Sequence, residues 1–174
     1  MVPNWQEPTQ VDNSKLSGWL LDAGSLTAKL KGMSQHFHVE LLFQREQACQ
    51  PHEMDFLGIS ATSPTLVREV LLHCDNIPWV YARSVIPLPA LSAADQTLAK
   101  MGTTPLGEQL FSRASIQPGR IQIAPFGPQT RPGQLNARLF KPEPTLWGRR
   151  RLFQLQQGAI SVAEVFLSPA PCYA

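Results

Sequence analysis

Two runs of apolar and β-branched residues, separated by a turn too short for anything but a hairpin, constrain this chain most. Residues 66–73 and 79–87 are those runs, with Cys74-Asp75-Asn76-Ile77-Pro78 between them. Asp and Asn tolerate the left-handed backbone of a tight turn, so the two strands are expected to run antiparallel. The chain closes on a second pair of the same kind, residues 148–156 and 159–167 around Gln157-Gly158. Residues 37–49 carry Val39, Leu41 and Phe43 in alternation and read as a further strand.

Helical spacing appears elsewhere. Leu16, Trp19, Leu20, Leu26 and Leu30 lie within residues 14–31, interrupted at Ala23-Gly24, which predicts two short helices with Ser25 capping the second. Residues 92–101 predict a helix capped by Ser92. Thr104 and Pro105 predict the opening of another, with Thr at the N-cap and Pro at the first helical position. The segment 112–145 is rich in Pro and Gly; it suggests one strand near 120–124 and another near 134–140. Residues 1–13 are expected to be loosely ordered. The order helices, strands, helices, strands, without βαβ alternation, predicts an α+β fold. It would be one domain over residues 1–174, a single antiparallel sheet with short helices covering one side.

Bulk properties narrow the function. Of the 174 residues 43% are hydrophobic and 16% charged, so the chain can bury a core and is no disordered tail. A net charge of +2 with no long basic run argues against nucleic acid as a partner. Cys49, Cys74 and Cys172 are odd in number and form no CxxC pair, which points to a reducing compartment, the cytoplasm. Neither a secretory signal nor a membrane span is evident. His36 and His38 form an HxH pair without a third ligand nearby, so exposed strand histidines are expected rather than a metal site. His73 beside Cys74 reads as packing at a strand end. No Walker loop, GxGxxG or GxSxG occurs, and no cofactor or metal is called for.

Two charges stand where strand alternation puts apolar side chains. Leu66, Arg68, Val70 and Leu72 share one face; Ile160, Val162, Glu164 and Phe166 share another. If those faces point inward, both charges are buried and each needs a partner. They could pair with each other, or each could face a cavity holding a polar ligand. Alternatively the face Val67, Glu69, Leu71, His73 goes in and Arg68 points out. Guanidinium matches a carboxylate bidentately, so an inward Arg68 would suit a small organic acid.

WLLDAGSLTAKL, LVREVLLHCDNIPWVYARSVIP, LAKMGTTPLGEQLF, LWGRRRLF and AEVFLSPAPCY, in this order from Trp19 to near the C-terminus, resemble segments of the chorismate lyase family. The resemblance implies an antiparallel sheet with an internal ligand cavity under helical flaps. It also implies cofactor-free loss of pyruvate from chorismate to leave 4-hydroxybenzoate, the first step toward ubiquinone. Carried over by motif, Arg68 in VREVLL would bind the ring carboxylate. The backbone N–H groups of Leu26 in GSLT and Leu106 in TPLG would meet the same carboxylate, and Glu164 in AEVF the ring 4-hydroxyl. Leu26 stands where the family more familiarly has Met, and segment 112–145 is longer than expected. For the enolpyruvyl carboxylate the first candidate is Arg83, on a strand face with Trp79, Tyr81 and Val85; Arg149 and Arg151, beside Trp147 and Phe153, come next. The working unit is expected to be a monomer.

Two rivals share the fold expectation. One is an effector-binding domain of a transcription regulator, which binds a small aromatic acid without turning it over. Only about 15 residues precede the first expected helix, too few for a helix-turn-helix domain. The other is a carrier of apolar ligands, which would have no use for an inward Arg and Glu together.

Overall fold

A computed structural model describes residues 1–8, 11 and 13–174. Helices α1 (Ser14–Leu20) and α2 (Leu26–Met33) come first, followed by β1 (Phe37–Glu46), α3 (Pro51–Leu57), β2 (Thr65–Cys74) and β3 (Ile77–Pro87). A 3-10 segment (Ala93–Ala99) and α4 (Leu106–Ser112) lead to β4 (Gln117–Pro118), β5 (Gln122–Phe126), α5 (Arg131–Leu139), β6 (Leu146–Gln154) and β7 (Ala159–Phe166). The strands form one antiparallel sheet ordered β1-β2-β3-β7-β6-β4, with β5 also paired to β6. The expected α+β class and both hairpins are present.

The β2–β3 turn is tighter than five residues. Asp75 (φ 51°) and Asn76 (φ 65°) alone occupy it, both left-handed, as a two-residue hairpin loop matching the strand twist demands. The Asp75 carboxylate also accepts the backbone N–H groups of Gln35 and His36 at 2.9 and 2.8 Å, which pins the entry to β1. In β6, Gly148 is required by close packing: a Cβ there would lie 2.8 Å from both the Phe126 ring and the Val165 side chain.

Four expectations need correction. Residues 134–140 are not a strand; they belong to α5. Thr130 caps that helix by accepting from Gly133 N–H, and Pro132 sits in its first turn, so residues that read as loop punctuation are a helix start. The strand expected at 120–124 lies two residues later. The strand from Phe37 ends at Glu46, and Pro51 and Glu53 then open α3, whose Glu53 side chain accepts from Gln50 N–H. In α4 the N-cap position is Pro105 rather than Thr104, whose carbonyl accepts from Arg68. Near the N-terminus, Gln6 bridges to Ile123 through both backbone groups, and Trp5 packs edge-on against Phe126 at 5.5 Å.

The sheet is covered on both faces. On the first, here the roofed face, Leu20, Leu30, Val70, Leu72 and Phe166 form one apolar cluster. Leu66, Ile86, Leu98, Leu110 and Ile160 form another. Helices α1, α2 and α4 and the 3-10 segment supply the cover. On the reverse face Leu71, Tyr81, Phe126 and Val165 pack together, and Val67 and Val85 pack against Met54 and Leu57 of α3. Burying each large aliphatic side chain contributes about 1.5–3 kcal/mol. Cys49, Cys74 and Cys172 are free thiols in these interiors. No described helix is long and apolar enough to cross a membrane.

Candidate active site

Strand register builds the floor of a chamber between the two apolar clusters of the roofed face. One row across the sheet runs Arg68 (β2), Ser84 (β3), Val162 (β7), Arg151 (β6); the next runs Val70, Ala82, Glu164, Arg149. Arg68 and Glu164 therefore stand on the same face, two strands apart. Thr27 of α2 and Pro105, Leu106 and Gly107 at the start of α4 form the roof. The chamber exists because the central strand presents Ala82 and Ser84 where its neighbours carry larger groups. Its volume is about 30 Å³, room for a water or two, whereas a cavity that holds a single aromatic ring is about 150 Å³. In this conformation the chamber is too small for an aromatic ring.

Arg68 is 2% exposed. Its Nη1 donates to the Gly102 carbonyl at 2.6 Å and to Gln44 Oε1 at 3.2 Å, and its Nη2 to the Thr104 carbonyl at 3.1 Å. No carboxylate pairs with it among the described residues. Burial pulls its pKa below the ordinary arginine value, the mark of a cation without an anion. A guanidinium has five N–H donors; the three bonds above leave Nε–H and one Nη2–H, a pair that can grip a carboxylate from the side.

Glu164 does not pair with Arg68. Its Oε2 accepts from Arg149 Nε at 2.8 Å. Arg149, 2% exposed, is itself fixed by the carbonyls of Trp19 and Asp22 at the end of α1. This anchoring leaves Glu164 Oε1 for a ligand. Arg151, on the same face, donates to the carbonyls of Ala23 and Gly119 and has no carboxylate among the described residues. Burial, and then the charge of Arg149, lower its pKa.

Leu26 and Leu106 are the first residues of α2 and α4, so neither N–H has an acceptor within its own helix. Leu106 lines the chamber; Leu26 is buried beside it, and the neighbouring Thr27 supplies the wall. Thr27, Ser84 and Gln44 were not foreseen. Small residues alternating through an otherwise bulky strand, Ala82 and Ser84, are the signal that could have found the floor. Gln44 could not have been found, because a register shift between Leu41 and Phe43 decides that it faces Arg68.

Arg83 is corrected: it lies on the reverse face. Its Nε and Nη2 bind Glu53 at 2.6 and 3.0 Å, and its Nη1 binds Glu69 at 3.0 Å. Arg131 grips the other oxygen of Glu69 at 3.1 Å. β3 alternation sends Tyr81, Arg83 and Val85 away from Ala82 and Ser84. A roomier hollow of about 190 Å³ adjoins this network, but its carboxylates and guanidiniums neutralise one another. The chamber at Arg68 differs in holding a buried guanidinium with no carboxylate partner among the described residues. The histidines behave as expected: His36 and His38 are exposed, and the His38 ring stacks on His73 at 4.4 Å.

The site is thus a small chamber under the roof helices of an antiparallel sheet, holding a buried guanidinium with no carboxylate partner among the described residues. Solved structures share the fold. The effector domain of PhnF from Mycobacterium smegmatis superposes with a TM-score of 0.62 at 16% identity, covering 86% of this chain and 91% of that one. The C-terminal domain of the histidine utilization repressor from Pseudomonas syringae gives 0.60 at 11%, covering 77% and 93%. Sequence comparison is more specific. The family model described as chorismate lyase matches residues 2–174. A probable chorismate pyruvate-lyase of Shewanella sp. (strain MR-4) is 45% identical over 159 residues, 91% of this chain and 81% of the relative. One of Pseudoalteromonas atlantica is 40% identical over 167 residues, 94% and 84%. The chain belongs to the chorismate lyase family.

Proposed function

We propose that this protein eliminates pyruvate from chorismate and releases 4-hydroxybenzoate, without a cofactor, as the first step toward ubiquinone. The observation that carries this reading is the unpaired, buried Arg68 facing the same chamber as Glu164. The ring carboxylate of chorismate takes the free Nε–H and Nη2–H of Arg68, helped by the N–H groups of Leu26 and Leu106. Glu164 Oε1 receives the 4-hydroxyl. The enolpyruvyl carboxylate lies toward β6, where Arg149 and Arg151 supply positive charge.

The C4–H and C3–O bonds break, and a ring double bond forms. The proton ends on the methylene carbon of the departing enolpyruvate, which becomes pyruvate. Atoms balance without a redox partner, and aromatisation drives the step. The protein's task is to hold the reactive conformer and stabilise charge on the leaving group. One copy of the chain contains the whole chamber, which supports a monomer as the working unit; three free, buried thiols suit a reducing cytoplasm. The test is to add chorismate to the purified protein and follow the absorbance of 4-hydroxybenzoate. Steady turnover is expected. Binding of 4-hydroxybenzoate without turnover would instead make the protein an aromatic-acid-binding module.

A further inference from the structure

Two hydroxyl groups in the chamber have no partner. Ser84 rises from the floor and Thr27 descends from the roof; each residue is 5% exposed. Neither hydroxyl makes a hydrogen bond to any described residue. Nor are they sealed, because the buried polar side-chain atoms closed off without a partner are elsewhere, on Trp5, His52 and His73. A hydroxyl left free in an interior is costly unless something fills its bonding capacity. Here the open side of both is the chamber.

Their positions say what that something is. Ser84 is directly across from Arg68 in the β2–β3 register, one strand closer to Glu164. Thr27 Oγ1 packs near Gly107, 3.8 Å from where a Cβ would stand, in the first turn of α4. That turn follows Thr104, whose carbonyl Arg68 holds. Ser84 thus borders Arg68 across the sheet, and Thr27 borders the turn of α4 that follows the carbonyl Arg68 holds. A hydroxyl donates as readily as it accepts, and beside a carboxylate it donates.

We propose that Ser84 and Thr27 are substrate-binding residues that donate hydrogen bonds to the carboxylate gripped by Arg68, one from below and one from above. The ligand class is an aromatic ring carboxylate; this rests on the function proposed above and adds to it the groups that recognise the acid end. Thr27 belongs to α2, so its bond ties the roof to the carboxylate. Ser84 is fixed in the sheet and sets where the carboxylate lies.

The experiment measures 4-hydroxybenzoate affinity by calorimetry, and chorismate turnover, in wild type, Ser84→Ala, Ser84→Thr and Thr27→Val. A hydrogen bond to a charged group makes the expected loss of affinity about tenfold or more for Ser84→Ala and for Thr27→Val. KM should rise by a similar factor and kcat change less, and Ser84→Thr should restore binding. Thermal denaturation distinguishes a folding defect, which neither substitution should cause. Unchanged affinity in both hydroxyl-deleted variants overturns the proposal, as does a fall in kcat with unchanged affinity. If wild type neither binds 4-hydroxybenzoate nor consumes chorismate, the functional reading itself has failed; if wild type does both and Ser84→Ala and Thr27→Val both match it, only the hydroxyl contacts are wrong.

Discussion

On the reverse face of the sheet Arg83 is clasped by Glu53 and Glu69, with Arg131 completing a neutral group of two cations and two anions. On the roofed face Arg68 is at least as buried but meets only two carbonyls and an amide side chain. Both arginines stand in the β2–β3 hairpin, on opposite faces. The first arrangement is complete and explains itself as structure. The second is short of one negative charge, and that deficit is the ground for proposing that an anion binds there. Charge balance, residue by residue, separates a stabilising network from a ligand site more clearly than cavity size does.

Substitutions at the two arginines should break that comparison in opposite directions. Arg83→Met should produce the largest effect: it strands the buried Glu53 carboxylate, leaves Glu69 with Arg131 alone, and should lower stability by about 3–5 kcal/mol, read as a shifted denaturant midpoint. Its kcat/KM, measured where the variant is still folded, should stay close to wild type; a selective loss of turnover would return Arg83 to the site. Arg68→Met should do the reverse. Loss of a bidentate contact to a charged ligand should lower kcat/KM by about 100-fold or more, while the denaturant midpoint holds or rises. An Arg68→Met protein that turns over chorismate normally would end the case for the roofed face.

Acid should sharpen the contrast with a smaller effect. Burial by itself would raise the Glu53 carboxyl, but the hydrogen bond and charge of Arg83 and the Gln50 N–H outweigh it and hold the pKa below its ordinary 4.5. A carboxyl lowered in the folded state stabilises the fold fully above its unfolded pKa, and that share is lost as pH falls through the folded value. Stability should therefore decline below about pH 4.5 through this network, and Glu53→Gln should flatten that part of the pH–stability curve. An unaltered slope in Glu53→Gln would show that Glu53 does not carry it.

Much of this was legible beforehand. Two-residue alternation placed Arg68 among Leu66, Val70 and Leu72, and Glu164 among Val162 and Phe166, and both faces do turn inward. The Asp75-Asn76 turn announced its hairpin through residues that accept a left-handed backbone. Residues 134–140 were expected as a strand rather than as part of α5, because Pro132 and Gly133 before them look like loop residues. Pro is at home in a helical first turn, and Gly133 is there for a different reason: a Cβ would strike the Gly127 carbonyl. Arg83 was misassigned because alternation says only that neighbours in a strand point oppositely. Which of the two faces meets α2 and α4 is settled by packing.

The sequence by itself determined the two hairpins and the presence of two charges on apolar faces, since those depend on local periodicity and turn chemistry. Only the tertiary structure decided that Gln44 reaches Arg68 past a shifted register, and that Thr27 and Ser84 line one chamber. Those contacts join residues far apart in the chain, and their geometry is set by how helices settle on a sheet, which no local pattern encodes.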